Sequence, residues 1–249
     1  MFDAKKEVER IIEFIRDYYK KNNLKGAIIG ISGGKDSGVV AGLFTKALGK
    51  ENVIGVTLPC HSRKSDRNDA LEVSKKFEFK LYNFDLSEVF DSFKGQVKAM
   101  IEVSEGKLVN SDINLKPRLR MATLYYFAAM FSAINKGEYL VAGTSNKCEL
   151  YVGYFTKGGD SVQDISVLAD FTVDEVIKIG EIIGVPSQVL YKVPDDGLSS
   201  LSDEEKLGVK YREIADYMEG VSIDETSAKI IKNLHEKNQH KFKTPTYRR

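Results

Sequence analysis

Short apolar runs alternate along this chain with longer stretches whose apolar residues recur at helical spacing. Val8, Ile11, Ile12, Phe14, Ile15, Tyr18 and Tyr19 fall every three or four positions. They predict an opening amphipathic helix that packs on a sheet or a partner. Residues 27–31 are an unbroken apolar run, a short buried strand. A helical pattern begins at Asp36 or Ser37, with Val39, Val40, Leu43, Phe44 and Leu48 on its inner side. Residues 53–59 predict a second strand, ended by Pro59. Residues 62–77 predict a helix with Ala70, Leu71, Val73 and Phe77 inward, and 79–86 a third strand carrying Asp85. Two longer helices, over 88–103 and 117–134, precede a fourth strand at 139–142. Thr172 and Glu175 form a capping box that starts a helix to about 183, and Ser202 with Glu205 forms another. Between them, Pro194-Asp195-Asp196-Gly197 reads as a turn or a mobile loop.

Strands that alternate with helices lie parallel, joined by right-handed crossovers, so the expected fold is a doubly wound, mostly parallel α/β sheet. Ligands in such sheets bind outside the carboxyl ends of the strands. The glycine turn after residue 31, the Pro59-Cys60-His61 segment and Asp85 all fall at that edge. A chain of 249 residues, 42% hydrophobic and 29% charged, fits one domain over 1–249. A net charge of +1, from 37 basic and 36 acidic residues, gives no footprint for nucleic acid. The charged first helix is no signal peptide, and no apolar run reaches the ~18 residues of a membrane span. Two cysteines, Cys60 and Cys148, imply no disulfide framework and fit a reducing cytoplasm. The helix over 117–134 has a broad aromatic face, with Leu124, Tyr125, Tyr126, Phe127, Met130 and Phe131. Core and subunit interface fit it equally well.

The chemistry centres on Ser32-Gly33-Gly34-Lys35-Asp36-Ser37, set between a strand and a helix. A glycine turn at a helix N-terminus offers backbone N–H groups and partial positive charge to phosphate. The spacing is neither the Walker pattern nor the dinucleotide glycine pattern. It resembles the pyrophosphate loop of the PP-loop ATP pyrophosphatases, which cleave ATP between the α- and β-phosphates. Asp36 is a hard carboxylate suited to Mg²⁺ there. A second motif, Asn114-Leu115-Lys116-Pro117-Arg118-Leu119-Arg120-Met121, puts cations at an expected helix start, where they suit phosphate or carboxylate. A third runs Gly143-Thr144-Ser145-Asn146-Lys147-Cys148-Glu149, then Gly153 to Asp160, then Asp164.

These motifs in this order resemble the ammonia-dependent NAD synthetases. The similarity runs from Gly26 to about Lys243. It implies an adenine-nucleotide hydrolase-like fold and a homodimer with the dinucleotide at the subunit interface. It assigns the ATP phosphates to Gly30, Ile31, Ser32, Gly33, Gly34, Lys35, Asp36 and Ser37, with Thr144 also on ATP. Lys35 and Asp36 are the catalytic residues, and Asp36 and Glu149 bind Mg²⁺. Deamido-NAD falls to Arg118, Lys157, Asp164, His240 and Lys241. Two positions depart from the family pattern: Val173 replaces an ATP-binding lysine, and Asp195 replaces a threonine or serine.

The implied reaction has two steps. The nicotinate carboxylate of deamido-NAD attacks the α-phosphorus of ATP, and ammonia then displaces AMP to give NAD. Glutamine use requires a second catalytic centre, for which neither cysteine is suited, so free ammonia is the expected nitrogen source. The loop alone also fits another PP-loop adenylating ligase or a non-catalytic adenine-nucleotide binder. Pyrophosphate release that depends on deamido-NAD separates them.

Overall fold

A computed structural model describes residues 2–62, 64–101, 109–192 and 202–247. Helix α1 (Ala4–Lys21) leads into β1 (Leu24–Gly30), α2 (Lys35–Leu48), β2 (Val53–Thr57), α3 (Lys64–Phe77) and β3 (Lys80–Asn83). After α4 (Ser87–Met100) and α5 (Val109–Asn135) come β4 (Glu138–Gly143), α6 (Lys147–Val152), β5 (Ile165–Ser166), α7 (Val173–Ile183) and α8 (Ser187–Leu190). The C-terminal part holds α9 (Asp203–Leu207), α10 (Tyr211–Met218) and α11 (Glu225–Asn238). The strands form one parallel sheet in the order β3-β2-β1-β4-β5. The chain therefore winds outward from β1 to β3, returns, and continues on the other side from β4. The switch between β1 and β4 opens a crevice at the carboxyl ends of the strands.

Burial on both faces explains the unbroken apolar strands. Ala27 and Ile29 of β1 point into a core shared with α1, α2, α3 and α7, while Ile28 points into one shared with α4 and α5. Helix α1 buries Val8, Ile11, Ile15 and Tyr19. Each side chain of this size contributes about 1.5–3 kcal/mol on full burial, so the helix is fixed by packing on α2 and α7. A third apolar cluster joins α6, α9, α10 and α11 through Cys148, Val152, Leu207, Tyr211, Ile214 and Ile231. It attaches the C-terminal helices to the end of β4.

Helix α5 does not start at Pro117. It begins at Val109 and carries Pro117 inside it. Tertiary partners hold the extra turns despite the missing proline N–H. Asn114 donates to the Asn110 carbonyl at 2.8 Å and accepts from Thr156 Oγ1 at 2.9 Å, and Lys94 pairs with Asp112. Arg118 and Arg120 are therefore mid-helix residues, and no helix start explains them. The aromatic face divides: Phe127 and Phe131 stack on each other and meet Tyr82 at a tilt, whereas Tyr126 is 71% exposed. The turn expected at 194–197, with Asp195, lies outside the described residues, as does the end of the helix expected over 88–103.

Candidate active site

The site begins where β1 ends. Ile31 still donates to the Val56 carbonyl at 2.9 Å, and the chain then turns sharply. Gly33 has φ +82°, and a Cβ there would lie 2.4 Å from the Asp66 carbonyl oxygen, so only glycine fits. Two serines brace the turn. Ser37 Oγ donates to the Gly34 carbonyl at 3.0 Å, and the Gly34 amide donates to Ser32 Oγ at 3.2 Å. Helix α2 has no side-chain cap, which leaves its first-turn amides for an anion.

The facing wall is built by the end of β4. Asn146, fully buried, caps α6 by accepting from the Glu149 amide at 3.1 Å. Its own amide donates back to Glu149 Oε2 at 3.0 Å, completing a capping box. Its Nδ2 donates to Asp36 Oδ1 at 3.3 Å. One asparagine thus orients both acidic residues expected to hold metal. Lys35, 5% exposed, stands 3.2 Å from Asp36 Oδ2 and 5.8 Å from the centre of the Tyr211 ring. Burial alone lowers the Lys35 ammonium, but Asp36 and Glu149 outweigh it and hold it above the ordinary lysine range. Glu149 is raised well above the usual carboxylate range, first by burial and then by the Asp36 charge. A site that crowds two carboxylates in this way favours a bound cation. Among the described residues no three His, Cys, Asp or Glu side chains gather into a metal cage. Two carboxylates suit Mg²⁺, which takes one or two from protein and the rest from phosphate and water.

A cavity of about 540 Å³ lies between these walls. Gly30, Ile31, Ser32, Gly34, Lys35, Asp36, Ser37, Thr144, Glu149 and Lys241 line it. Gly33 packs outward onto α3. Arg118, Lys157, Asp164 and His240 are not among the lining residues. Arg118 donates to the Lys157 carbonyl at 3.2 Å and Lys157 Nζ to the His240 carbonyl at 3.0 Å, so these three are linked to one another. Lys241 donates to the carbonyls of Gly153 and Phe155 at 2.7 and 2.8 Å, and burial holds its ammonium below the ordinary range. Asp164 accepts from the Val141 amide at 2.8 Å and from the Tyr125 hydroxyl at 3.0 Å, tying β4 to α5. Cys60 and Cys148 are buried away from solvent. Asp85 accepts from the Ser87 amide at 2.9 Å, just before α4, and does not line the cavity, although it lies at the expected edge. Val173 packs against the C-terminal apolar cluster.

Sequence reasoning did not single out Asn146, Asp203, Arg67 or Lys192, all in or beside the cavity. Asn146 was legible as Asn-x-x-Glu before an apolar run. Asp203, buried and bonded to the Tyr154 hydroxyl at 3.0 Å, carried no separate signal.

The family model described as NAD synthase matches residues 7–245. This chain belongs to that family. It is 35% identical over 243 residues to the NH(3)-dependent NAD(+) synthetase of Carboxydothermus hydrogenoformans, covering 96% of this chain and 95% of the relative. An NMN synthetase structure from Francisella tularensis superposes with a TM-score of 0.89 at 29% identity, over 100% of this chain and 99% of the other. The NH3-dependent NAD synthetase of Campylobacter jejuni superposes with a TM-score of 0.78 at 27% identity, over 100% of both chains.

Proposed function

We infer that this protein is an ammonia-dependent NAD synthetase, acting as one unit over 1–249. It converts deamido-NAD, ATP and ammonia into NAD, AMP and pyrophosphate. The observation that carries this reading is the pairing, across one cavity, of the pyrophosphate loop with two carboxylates held by a single asparagine. Relatives named for ammonia-dependent NAD synthesis match nearly the whole chain.

Residues Gly30 to Ser37 cradle the ATP phosphates, and Thr144 flanks the nucleotide from the end of β4. Asp36 and Glu149 hold Mg²⁺, which supplies charge neutralisation on the phosphates when bound. Lys35, buried and protonated, adds a fixed positive charge that favours the leaving pyrophosphate. The cavity brings two anions together and aligns carboxylate and α-phosphorus, which lowers the barrier by positioning. Carboxylate oxygen attacks phosphorus and the α–β bond breaks. Ammonia then attacks the carbonyl carbon and releases one proton, and AMP departs with the bridging oxygen.

Arg118, Lys157, Asp164, His240 and Lys241 carry deamido-NAD. Arg118 stands on α5, the helix that also exposes Tyr126 and Ile134. The neighbouring α4 exposes Phe93 and Met100. Large apolar side chains left in water on two packed helices suit a homodimer interface beside the dinucleotide site. The reaction and the two unpaired cysteines suit the cytoplasm.

The superposition on the NMN synthetase favours a second reading, in which nicotinate mononucleotide is the acceptor. Purified protein is assayed for AMP with ATP, Mg²⁺, ammonium and either acceptor. The first reading expects a higher kcat/KM with deamido-NAD. A higher value with nicotinate mononucleotide establishes the second, and AMP release with neither acceptor removes both.

A further inference from the structure

Lys192 lies just past α8, and its ammonium sits 2.8 Å from Asp66 Oδ1 and 2.7 Å from Asp69 Oδ2. Both acids belong to α3, whose first turn rests directly on the pyrophosphate loop at Gly33. Lys192, Asp66 and Arg67 line the cavity together with Gly34 and Ser37. Burial works against the Lys192 charge, but its two carboxylate partners outweigh it and keep it protonated. An ammonium has three N–H donors. Two go to Asp66 and Asp69, which fix the head group; among the described residues no other acceptor takes the third. Without Lys192, the Asp66 carboxylate would face a polyphosphate site and oppose its charge. The position at which the family pattern has an ATP-binding lysine is Val173, which packs against an apolar cluster and offers no charge.

We propose that Lys192 is a further ATP-binding residue of this chain: anchored by Asp66 and Asp69, it donates its remaining N–H to the β- or γ-phosphate. It thereby steadies the pyrophosphate as it leaves. The assignment to these phosphates follows from place, because the anchoring helix touches the pyrophosphate loop. Asp66 and Asp69 act through Lys192 and are positioning residues. The proposal rests on the reading of this cavity as the ATP site.

The test uses the full chain with Lys192→Met, which keeps the stem and removes the charge. Binding of ATP, AMP and pyrophosphate is measured by calorimetry with Mg²⁺ and without deamido-NAD, alongside thermal unfolding. ATP and pyrophosphate should bind about 10-fold more weakly, the size of one charge-assisted hydrogen bond to phosphate. AMP, which lacks both outer phosphates, should stay within about twofold. Lys192→Arg should restore most of the loss. Where the methionine variant fails to fold, Lys192→Gln gives the same comparison. Equal weakening of all three ligands reduces the ion pairs to a strut and overturns the proposal, as does no weakening of any. Wild-type protein that binds neither ATP nor pyrophosphate instead overturns the ATP reading on which the proposal stands.

Discussion

Replacing Asn146 separates structure from chemistry at the site. Its side chain caps α6 through the Glu149 amide and also donates to Asp36 at 3.3 Å. Asn146→Ala removes both contacts. Loss of the cap costs about 1 kcal/mol, and loss of a hydrogen bond to a charged group about 1.5 kcal/mol or somewhat less at this length. Together that is about 2–2.5 kcal/mol, or a fall in Tm of roughly 4–10 °C for a chain of this size. Asn146→Ser keeps a good cap but is too short to reach Asp36, so it should lose only that bond, about 1–1.5 kcal/mol. Activity should not follow stability. Both variants free Asp36 from its orienting donor, and residues of this kind affect metal affinity or rate by about 10–100-fold. The assay is pyrophosphate release at saturating Mg²⁺ and at limiting Mg²⁺, beside thermal unfolding. Asn146→Ser with wild-type rates at limiting Mg²⁺ would refute the role given to this contact. So would losses of activity that simply parallel the losses in Tm.

Asp36→Asn and Glu149→Gln keep shape and lose charge, so each should abolish adenylation, by roughly 100-fold or more, while unfolding remains cooperative. Wild-type turnover in either would remove that residue from the metal assignment. Tyr126→Asp puts a charge on the exposed face of α5, and sedimentation should show a dimer in the wild type and a monomer in the variant. Burial pushes the Cys148 thiol up to about 11, and Cys60 is raised as well. Both should therefore stay protonated and resist alkylation at pH 8 until the chain unfolds, and Cys60→Ala with Cys148→Ala should retain ammonium-dependent activity.

Most of the sheet was legible because its strands β1, β2 and β4 are buried on both faces. The four runs at 27–31, 53–59, 79–86 and 139–142 each overlap a strand of the structure, although β1 begins earlier, at Leu24, and β4 extends one residue further at each end. Strand β5 is only Ile165–Ser166, paired to Ala142 and Gly143, and two residues carry no period. The start of α5 was hidden because Pro117 resembles a first-turn proline, while the contacts of Asn114 and Asp112 that extend the helix are tertiary. At the site, the loop could be read from Gly33, Gly34 and Asp36, since local backbone demands leave local marks. The bond from Asn146 to Asp36 spans 110 positions and that from Lys192 to Asp66 spans 126, so no local pattern reveals either.

The central claim is that a nicotinate carboxylate is adenylated and then displaced by ammonia. It is tested by following the carboxylate oxygens. Deamido-NAD labelled with ¹⁸O in the nicotinate carboxyl group is converted in a single turnover with ATP, Mg²⁺ and ammonium, and the products are weighed by mass spectrometry. Each AMP should carry one ¹⁸O in its phosphate, the nicotinamide of NAD should keep the other, and pyrophosphate should carry none. Unlabelled AMP, or label in phosphate released with ADP, would contradict the account.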